Sequence, residues 1–199
     1  MASLEQARPA GTFWALALDA PLPPACAPRV AARFEQVGPE ETPALTQAMG
    51  KRSLVPVQRR FAAGKRCYVA RVAEEIAAYG WVTFDEEVIG ELRLRLRMGP
   101  GEAYIWDCAT LPVYRGQRLY PALLSHIVSE LRAAGLRLAW IGADTANVAS
   151  QKGFILAGFQ PVMDFFLASA SGTYSQLQGR PGAPEGMVLA ARRAVNNAE

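Results

Sequence analysis

The chain has a single histidine, three cysteines and three lysines in 199 residues, and each scarcity closes off a class of chemistry. With His126 as the sole imidazole, a metal site built from several histidines is excluded, and any Ser/His/Asp relay would rest on that one residue. Cys26, Cys67 and Cys108 are scattered without metal-ligand spacing, and their odd number argues against a closed disulfide framework. A reducing cytoplasm is the expected compartment. Lysine is confined to Lys51, Lys65 and Lys152, so the net charge of +3 is carried almost wholly by arginine. That balance fits an anionic small ligand and falls short of a nucleic-acid-binding tail. Long apolar runs are missing too. The early stretch FWALAL, residues 13–18, is followed at once by Asp19 and a proline cluster, too short and poorly flanked for a signal or membrane helix.

What is present, 51% hydrophobic and 20% charged residues, is enough for one well-buried core, and a single domain over residues 1–199 is expected. FWALALDA reads as a strand ended by the link PLPPACAP; VAARFEQVG reads as a second strand and PEETPALTQAMG as a short helix. The basic segment KRSLVPVQRRFAAGKR, residues 51–66, reads as a solvated loop or short helix, with a nucleic-acid patch as the alternative; aromatic interleaving, which single-strand binding uses, is almost absent. CYVARVA and IAAYGWVTF read as a hairpin turning at Glu74 and Glu75.

In GELRLRLRM, Leu92, Leu94 and Leu96 alternate with Arg93, Arg95 and Arg97, a strand with one apolar and one basic face. After the turn at residues 99–101 a strand is expected over 103–111. The next segment is helical: Leu123, Leu124, Ile127, Val128 and Leu131 recur with the 3.6-residue period, Pro121 suits the first turn, and Gly135 is a stop. LRLAWIGAD reads as a strand, ASQKGFILAGF as a short helix capped by Gly158, and VMDFFLASA as a further strand. Residues 172–186 read as a loop, MVLAARR as a last strand and VNNAE as a frayed tail. Antiparallel strands followed by strand, helix, strand, helix, strand make an α+β (mixed α/β) fold with one parallel crossover.

The chemistry concentrates in TLPVYRGQRLY. In a strand–turn–helix unit the first N–H groups of the helix lack intrahelical partners and point outward with the positive end of its dipole, which is an anion site. Gly116 lets backbone approach a ligand, and Arg115 and Arg118 can add charge-assisted bonds to phosphate oxygens. One crossover later comes NVASQKGFILAGF. Together the two segments resemble the GNAT superfamily of acyl-CoA-dependent N-acyltransferases. The first matches the family's V-x-P-x-Y-R-G-x-G-I-G at Pro112, Tyr114, Arg115 and Gly116; the second matches N-x-x-[AS]-x-x-x-Y-x-x-x-G-F at Asn147, Ser150, Gly158 and Phe159.

The resemblance covers residues 65–168; residues 1–64 diverge, and residues 169–199 hold the late loop, last strand and tail. It implies a central mixed, mostly antiparallel sheet with helices on both faces and one splayed parallel strand pair. Acetyl-CoA would enter that splay as acyl donor, with no metal. Cys108, Ala109, Thr110 and Leu111 would pair with the pantetheine arm, and the amides of Gly116, Gln117, Arg118, Leu119 and Tyr120 would hold the pyrophosphate, with Arg115 beside them. Asn147, Ser150 and Phe154 would line the arm from the second segment. The acceptor would be a small-molecule primary amine attacking directly, and a homodimer is compatible with the family.

The chain departs from the pattern at three places. Arg118 and Tyr120 stand where the turn usually has small residues: a side chain at 118 is compatible with backbone binding if its Cβ points away and its dihedrals stay helical, and Tyr120 is free to stack or hydrogen-bond near the ligand. Phe154 stands where the family often has a tyrosine that protonates the departing thiolate.

The remaining candidates each carry two readings. Asp107 is the first candidate for general base, and equally a structural carboxylate bonded to backbone or an arginine. Cys108 is expected as a small buried hydrophobe rather than a nucleophile. His126, four residues before Glu130, is expected on a solvated helix face. Ser150 either holds the arm or caps the helix, and Asn147 suits an N-cap. Trp81, Trp106 and Trp140 are expected in the core. A catalytically silent CoA-binding domain is the alternative function, and a nucleic-acid-binding module using residues 51–66 a more distant one.

Overall fold

The structure, a computed structural model, describes residues 9–89, 94–167 and 174–197. Its frame is an eight-stranded sheet: β1 (Gly11–Ala17), β2 (Arg33–Val37), β3 (Arg66–Val72), β4 (Glu75–Thr83), β7 (Glu102–Thr110), β8 (Leu138–Asp144), β9 (Gln160–Leu167) and β10 (Tyr174–Gly179). The spatial order is β10-β9-β1-β8-β7-β4-β3-β2. All neighbours are antiparallel except β7 and β8, joined in parallel through the crossover helix α3 (Leu119–Ala133). A second, three-stranded sheet is made by β5 (Glu86–Ile89), β6 (Leu94–Arg97) and β11 (Val195–Asn197), in the order β11-β6-β5.

Helices cover both faces of the large sheet. On one side lie α3 and α4 (Val148–Leu156). The stripe of α3 read from its period is buried, Leu123, Leu124, Ile127 and Leu131 completely, against Ala78, Val82 and Ile105 of the sheet. Each such side chain removed from water contributes about 1.5–3 kcal/mol. On the other side, α1 (Thr42–Ala48) and α2 (Val55–Ala62) set Leu45, Val57 and Phe61 against Cys67, Val69, Tyr79 and Trp81. The small sheet and α5 (Glu185–Ala194) cover Phe13, Ala15, Tyr104 and Trp140.

The N-terminal strand sits deep in the sheet. β1 lies between β8 and β9, antiparallel to both, with Gly11 paired to Asp144 on one side and Phe165 on the other. Gly11 has no room for a side chain: a Cβ there would stand 2.1 Å from Phe165 Cζ. Trp14 points to the α3 side, edge-on to Phe154 at 5.6 Å, while Phe13 and Ala15 face α5.

Several expectations are corrected. MVLAARR, expected as a strand, is helix α5: the buried contacts fall at Ala191 and Ala194, with Met187 and Val188 packed beside them, a helical and not a two-residue period. The loop expected over 172–186 contains β10, and the tail expected to fray contributes β11, paired to β6. Strand β5 completes a hairpin with β6 that periodicity did not show. The β3–β4 hairpin turns at Ala73 and Glu74, both left-handed (φ 48° and 68°), and Glu75 is already the first residue of β4. A two-residue turn of that hand matches the twist of its strands. In β6, Leu96 is buried and Arg95 and Arg97 both pair with Glu86, so the basic face is neutralised across the hairpin. Leu92, Arg93, the side chain of Leu94, the end of the strand expected over 162–170, and Gly172 lie outside the described residues. In residues 51–66 the structure has the short helix, α2.

Candidate functional site

The parallel pair is short. β7 and β8 stay in register from Glu102↔Leu138 to Ile105↔Ile141 and then part, although both strands continue. Beyond that point β7 remains bonded to β4, and β8 to β1, so the two strands splay and residues 106–110 present an edge with no strand beside it among the described residues. A bulge marks the divergence: Trp81 pairs with Trp106 and Tyr79 with Ala109, leaving Asp107 and Cys108 opposite Gly80 alone. Asp107 adopts the left-handed conformation (φ 41°) that the bulge requires. Gly80 provides the space, since a Cβ there would stand 2.9 Å from Cys108 Sγ.

The edge opens into a cleft of about 550 Å³ whose wall includes Cys108, Ala109, Thr110, Arg115, Gly116, Arg118, Leu119, Tyr120, Ser150 and Lys152. At its mouth the chain passes through a 3₁₀ turn (Pro112–Tyr114) into α3. The carbonyls of the connecting turn are held from behind: Arg29 N–H donates to Gln117 O at 2.8 Å and Arg29 Nη1 to Gly116 O at 3.2 Å. Gly116 (φ 78°) and Arg118 (φ 57°) are both left-handed. With the carbonyls turned back, the N–H groups of residues 116–120 have no partner among the described residues, and the first intrahelical bond is Ala122 N–H to Arg118 O. These donors at the positive end of α3 are an anion cradle.

Arg118 is left-handed, so the condition of helical dihedrals is not met. Its position explains why glycine suits the place, since a side chain there costs about 1 kcal/mol or more. Tyr120 turns inward, with its ring on Gly153 of α4, where a Cβ would stand 2.6 Å from Tyr120 Cδ1. Its hydroxyl reaches the Ser150 side chain, and burial pushes it well above the ordinary tyrosine value.

Most of the residues implied for ligand binding converge here; four, Leu111, Gln117, Asn147 and Phe154, do not line the cleft. Asn147 caps α4, its Oδ1 accepting from Ser150 N–H at 3.1 Å. Phe154 is buried in the core between Trp14, Tyr120 and Phe159. Leu111 packs on the opposite side of the sheet, and its N–H bonds to Ala77 O. Thr110 Oγ1, in the wall, is buried without a partner and adds a polar group for a ligand. Cys108 is a thiol: burial, with Asp107 next to it, pushes it far up, and a nucleophilic thiolate has no support.

Asp107 faces the α2 side of the sheet, where Oδ2 meets Arg60 Nη1 at 2.6 Å. The Arg60 guanidinium lies over the rings of Trp106 (4.4 Å) and Trp81 (5.0 Å), and Lys65 Nζ over Trp106 (4.6 Å) while pairing with Glu87. Burial, with the Asp107 carboxylate adding to it, pushes the Tyr79 hydroxyl up to about 12. Sequence reading missed Arg60 and Tyr79 as neighbours of Asp107, and Lys65 on the adjacent Trp106, because nothing local ties α2 to the bulge. His126, expected on a solvated face, is instead half-buried against Phe34 and Tyr68, with Nε2 unpartnered.

Comparison with known proteins places this architecture. The family model described as acetyltransferase (GNAT) family matches residues 35–159, which leaves β1 outside. No curated protein matches the sequence. Among solved structures, the ribosomal-protein-S18-alanine N-acetyltransferase of Escherichia coli superposes with a TM-score of 0.53 at 15% identity, covering 78% of this chain and 97% of that one. An acetyltransferase from the GNAT family of Colwellia psychrerythraea gives 0.53 at 13% identity over 79% of this chain and 56% of its own. An aminoglycoside acetyltransferase from an uncultured soil metagenomic sample gives 0.51 at 14% identity, over 64% and 87%. The chain spans only 60% and 51% of the length of two further structures with this fold.

Proposed function

The chain belongs to the acetyltransferase (GNAT) family, and from that premise we propose that it transfers an acetyl group from acetyl-CoA to the primary amine of a small molecule in the cytoplasm. The observation that carries this reading is the splay of β7 from β8 ending at a turn whose N–H groups, at residues 116–120, have no other partner among the described residues. An extended arm with a charged end matches an extended edge leading to an anion cradle. Arg115, Arg118 and Lys152 at the cleft supply positive charge for the phosphates. The free edge of residues 106–110 offers main-chain groups to an amide-containing arm in the manner of an added strand. Three free cysteines, Cys67 buried among them, fit a reducing compartment.

When bound, acetyl-CoA supplies an acyl group already activated as a thioester. The protein's part is to hold the carbonyl at the bulge, where backbone N–H groups of the splayed edge polarise it, and to bring the amine within reach. Asp107, beside that point, takes the proton from the incoming ammonium, and its pairing with Arg60 sets how readily it does so. No covalent intermediate on the protein is required.

A silent CoA-binding domain is the second reading. It is favoured by the burial of Phe154 as a hydrocarbon and by the closed Arg60–Asp107 pair. The nucleic-acid reading weakens for a physical reason: Arg60 and Lys65, two of the basic residues in 51–66, are turned onto tryptophan rings. The deciding experiment incubates the protein with acetyl-CoA and a panel of primary amines while following thiol release and CoA-induced thermal stabilisation. Both effects support the enzyme; stabilisation without release on any amine supports the silent domain; absence of both overturns CoA binding.

A further inference from the structure

The prolines of PLPPACAP lie in the connection between β1 and β2, residues 18–32, outside the span 35–159 that the family model matches. Pro21, Pro23, Pro24 and Pro28 each fix φ, so this connection gives up little conformational freedom when it is pinned down. It is pinned along α3 and α4. Pro23 covers the end of α4, where a Cβ on Gly158 would stand 2.4 Å from Pro23 Cγ. Leu22 and Val30 pack on the core that α3 covers, and Cys26 N–H donates to Ser125 Oγ of that helix at 3.1 Å. The next contact is with the anion cradle itself.

Arg29 makes that contact twice, donating its main-chain N–H to Gln117 O at 2.8 Å and Nη1 to Gly116 O at 3.2 Å. In a planar trans peptide the C=O of one residue and the N–H of the next point in opposite directions. Holding Gly116 O and Gln117 O from one side therefore aims the N–H groups of Gln117 and Arg118 to the other, the alignment that an anion needs. That alignment calls for support, because Gly116 and Arg118 are both left-handed, and a glycine there has other conformations open to it. Arg29 also stands in the cleft wall with Arg115, Arg118 and Lys152, among lining residues that include no carboxylate. No carboxylate pairs with Arg29 among the described residues, so its charge is left for a ligand.

Resting on the reading of the cleft as a CoA site, we propose that Arg29 is a positioning residue for the phosphates of CoA: it sets two peptide planes of the cradle and adds a cation beside them. The β1–β2 connection is then part of the cofactor site, although it enters from outside the family's matched span. Both effects act on the charged end of the ligand alone. The uncharged arm, laid along residues 106–110, is held by another strand and does not depend on them.

The test is Arg29→Ala, which keeps the main-chain bond to Gln117 O and removes the side chain. Affinity is measured by thermal-shift titration for two probes, CoA and pantetheine, the second being the same arm without phosphates. The expected result is a fall of about tenfold in CoA affinity with pantetheine affinity within about twofold. Unchanged CoA affinity, or an equal loss for the two probes, would overturn the assignment. Arg29→Gln, which keeps a donor for Gly116 O but no charge, guards against a variant that fails to fold: CoA affinity should still fall by about fivefold, and wild-type affinity would overturn the role of the charge. Wild-type protein that binds no CoA refutes the CoA reading itself, which separates the two failures.

Discussion

On the α3 side of β7 the groups without partners among the described residues include the N–H donors of residues 116–120 and Thr110 Oγ1, whereas on the α2 side charged groups are already spent on one another, Arg60 with Asp107 and Lys65 with Glu87. The first side is ready for a ligand as it stands. On the second, a ligand would have to compete with ion pairs whose cations lie over Trp81 and Trp106, contacts worth about 0.5–2 kcal/mol each. The contrast teaches that, on the proposed reading, the acyl donor would be held by main chain and the acceptor by side chains.

The strongest challenge to the comparison is Gly116→Asp. Placing a carboxylate in the cradle costs several kcal/mol against an anion, so CoA affinity should fall by about 10³-fold in calorimetry. Gly116→Ala is the control: nothing lies within 4 Å of a Cβ there, so only the left-handed backbone (φ 78°) is strained, and melting should shift while CoA still binds. Equal effects of the two would show that the phosphates lie elsewhere.

On the other side, Asp107→Asn should lower turnover by about 10²-fold while leaving CoA affinity unchanged. Normal turnover across the pH range would return Asp107 to a purely structural role as the partner of Arg60. A milder effect is expected at Arg118, the non-glycine residue holding a left-handed N-cap position in the cradle. Arg118→Gly should raise stability by about 0.5–1 kcal/mol in denaturant melts and weaken CoA binding a few-fold, since strain and a guanidinium leave together.

The smallest effect concerns His126, which breaks the rule that the α3 side leaves mainly backbone unpaired. Burial lowers its pKa, with Glu130 opposing, so the folded protein disfavours the imidazolium. Stability from this residue is therefore fully present above its ordinary value of 6.5 and is lost as the pH falls through the lowered folded value. A melting series from about pH 7 to about pH 5 should decline more steeply for the wild type than for His126→Phe. Parallel series would mean that the imidazole finds a partner when charged.

How much of this was legible in the sequence differs with the range of the interaction. The stripe of α3, the cap at Asn147 and the stop at Gly158 follow from spacing within one element, and they stand as expected. MVLAARR misled because a seven-residue window shows alternation as readily as helical period; what settled it was the burial of Ala191 and Ala194 against β6 and β9. The small sheet joins β11 to β6 across roughly a hundred residues, a pairing that no local pattern records.

By itself, the sequence pointed to the unpaired N–H groups at the start of α3 and the left-handed glycine before it, because both are local consequences of backbone geometry. Only the tertiary structure decided what surrounds it: β1 inserted between β8 and β9, Arg60 on Asp107, and Tyr120 seated on Gly153. Each of those depends on where two distant segments come to rest, which is fixed by the packing of the whole core and not by the residues on either side.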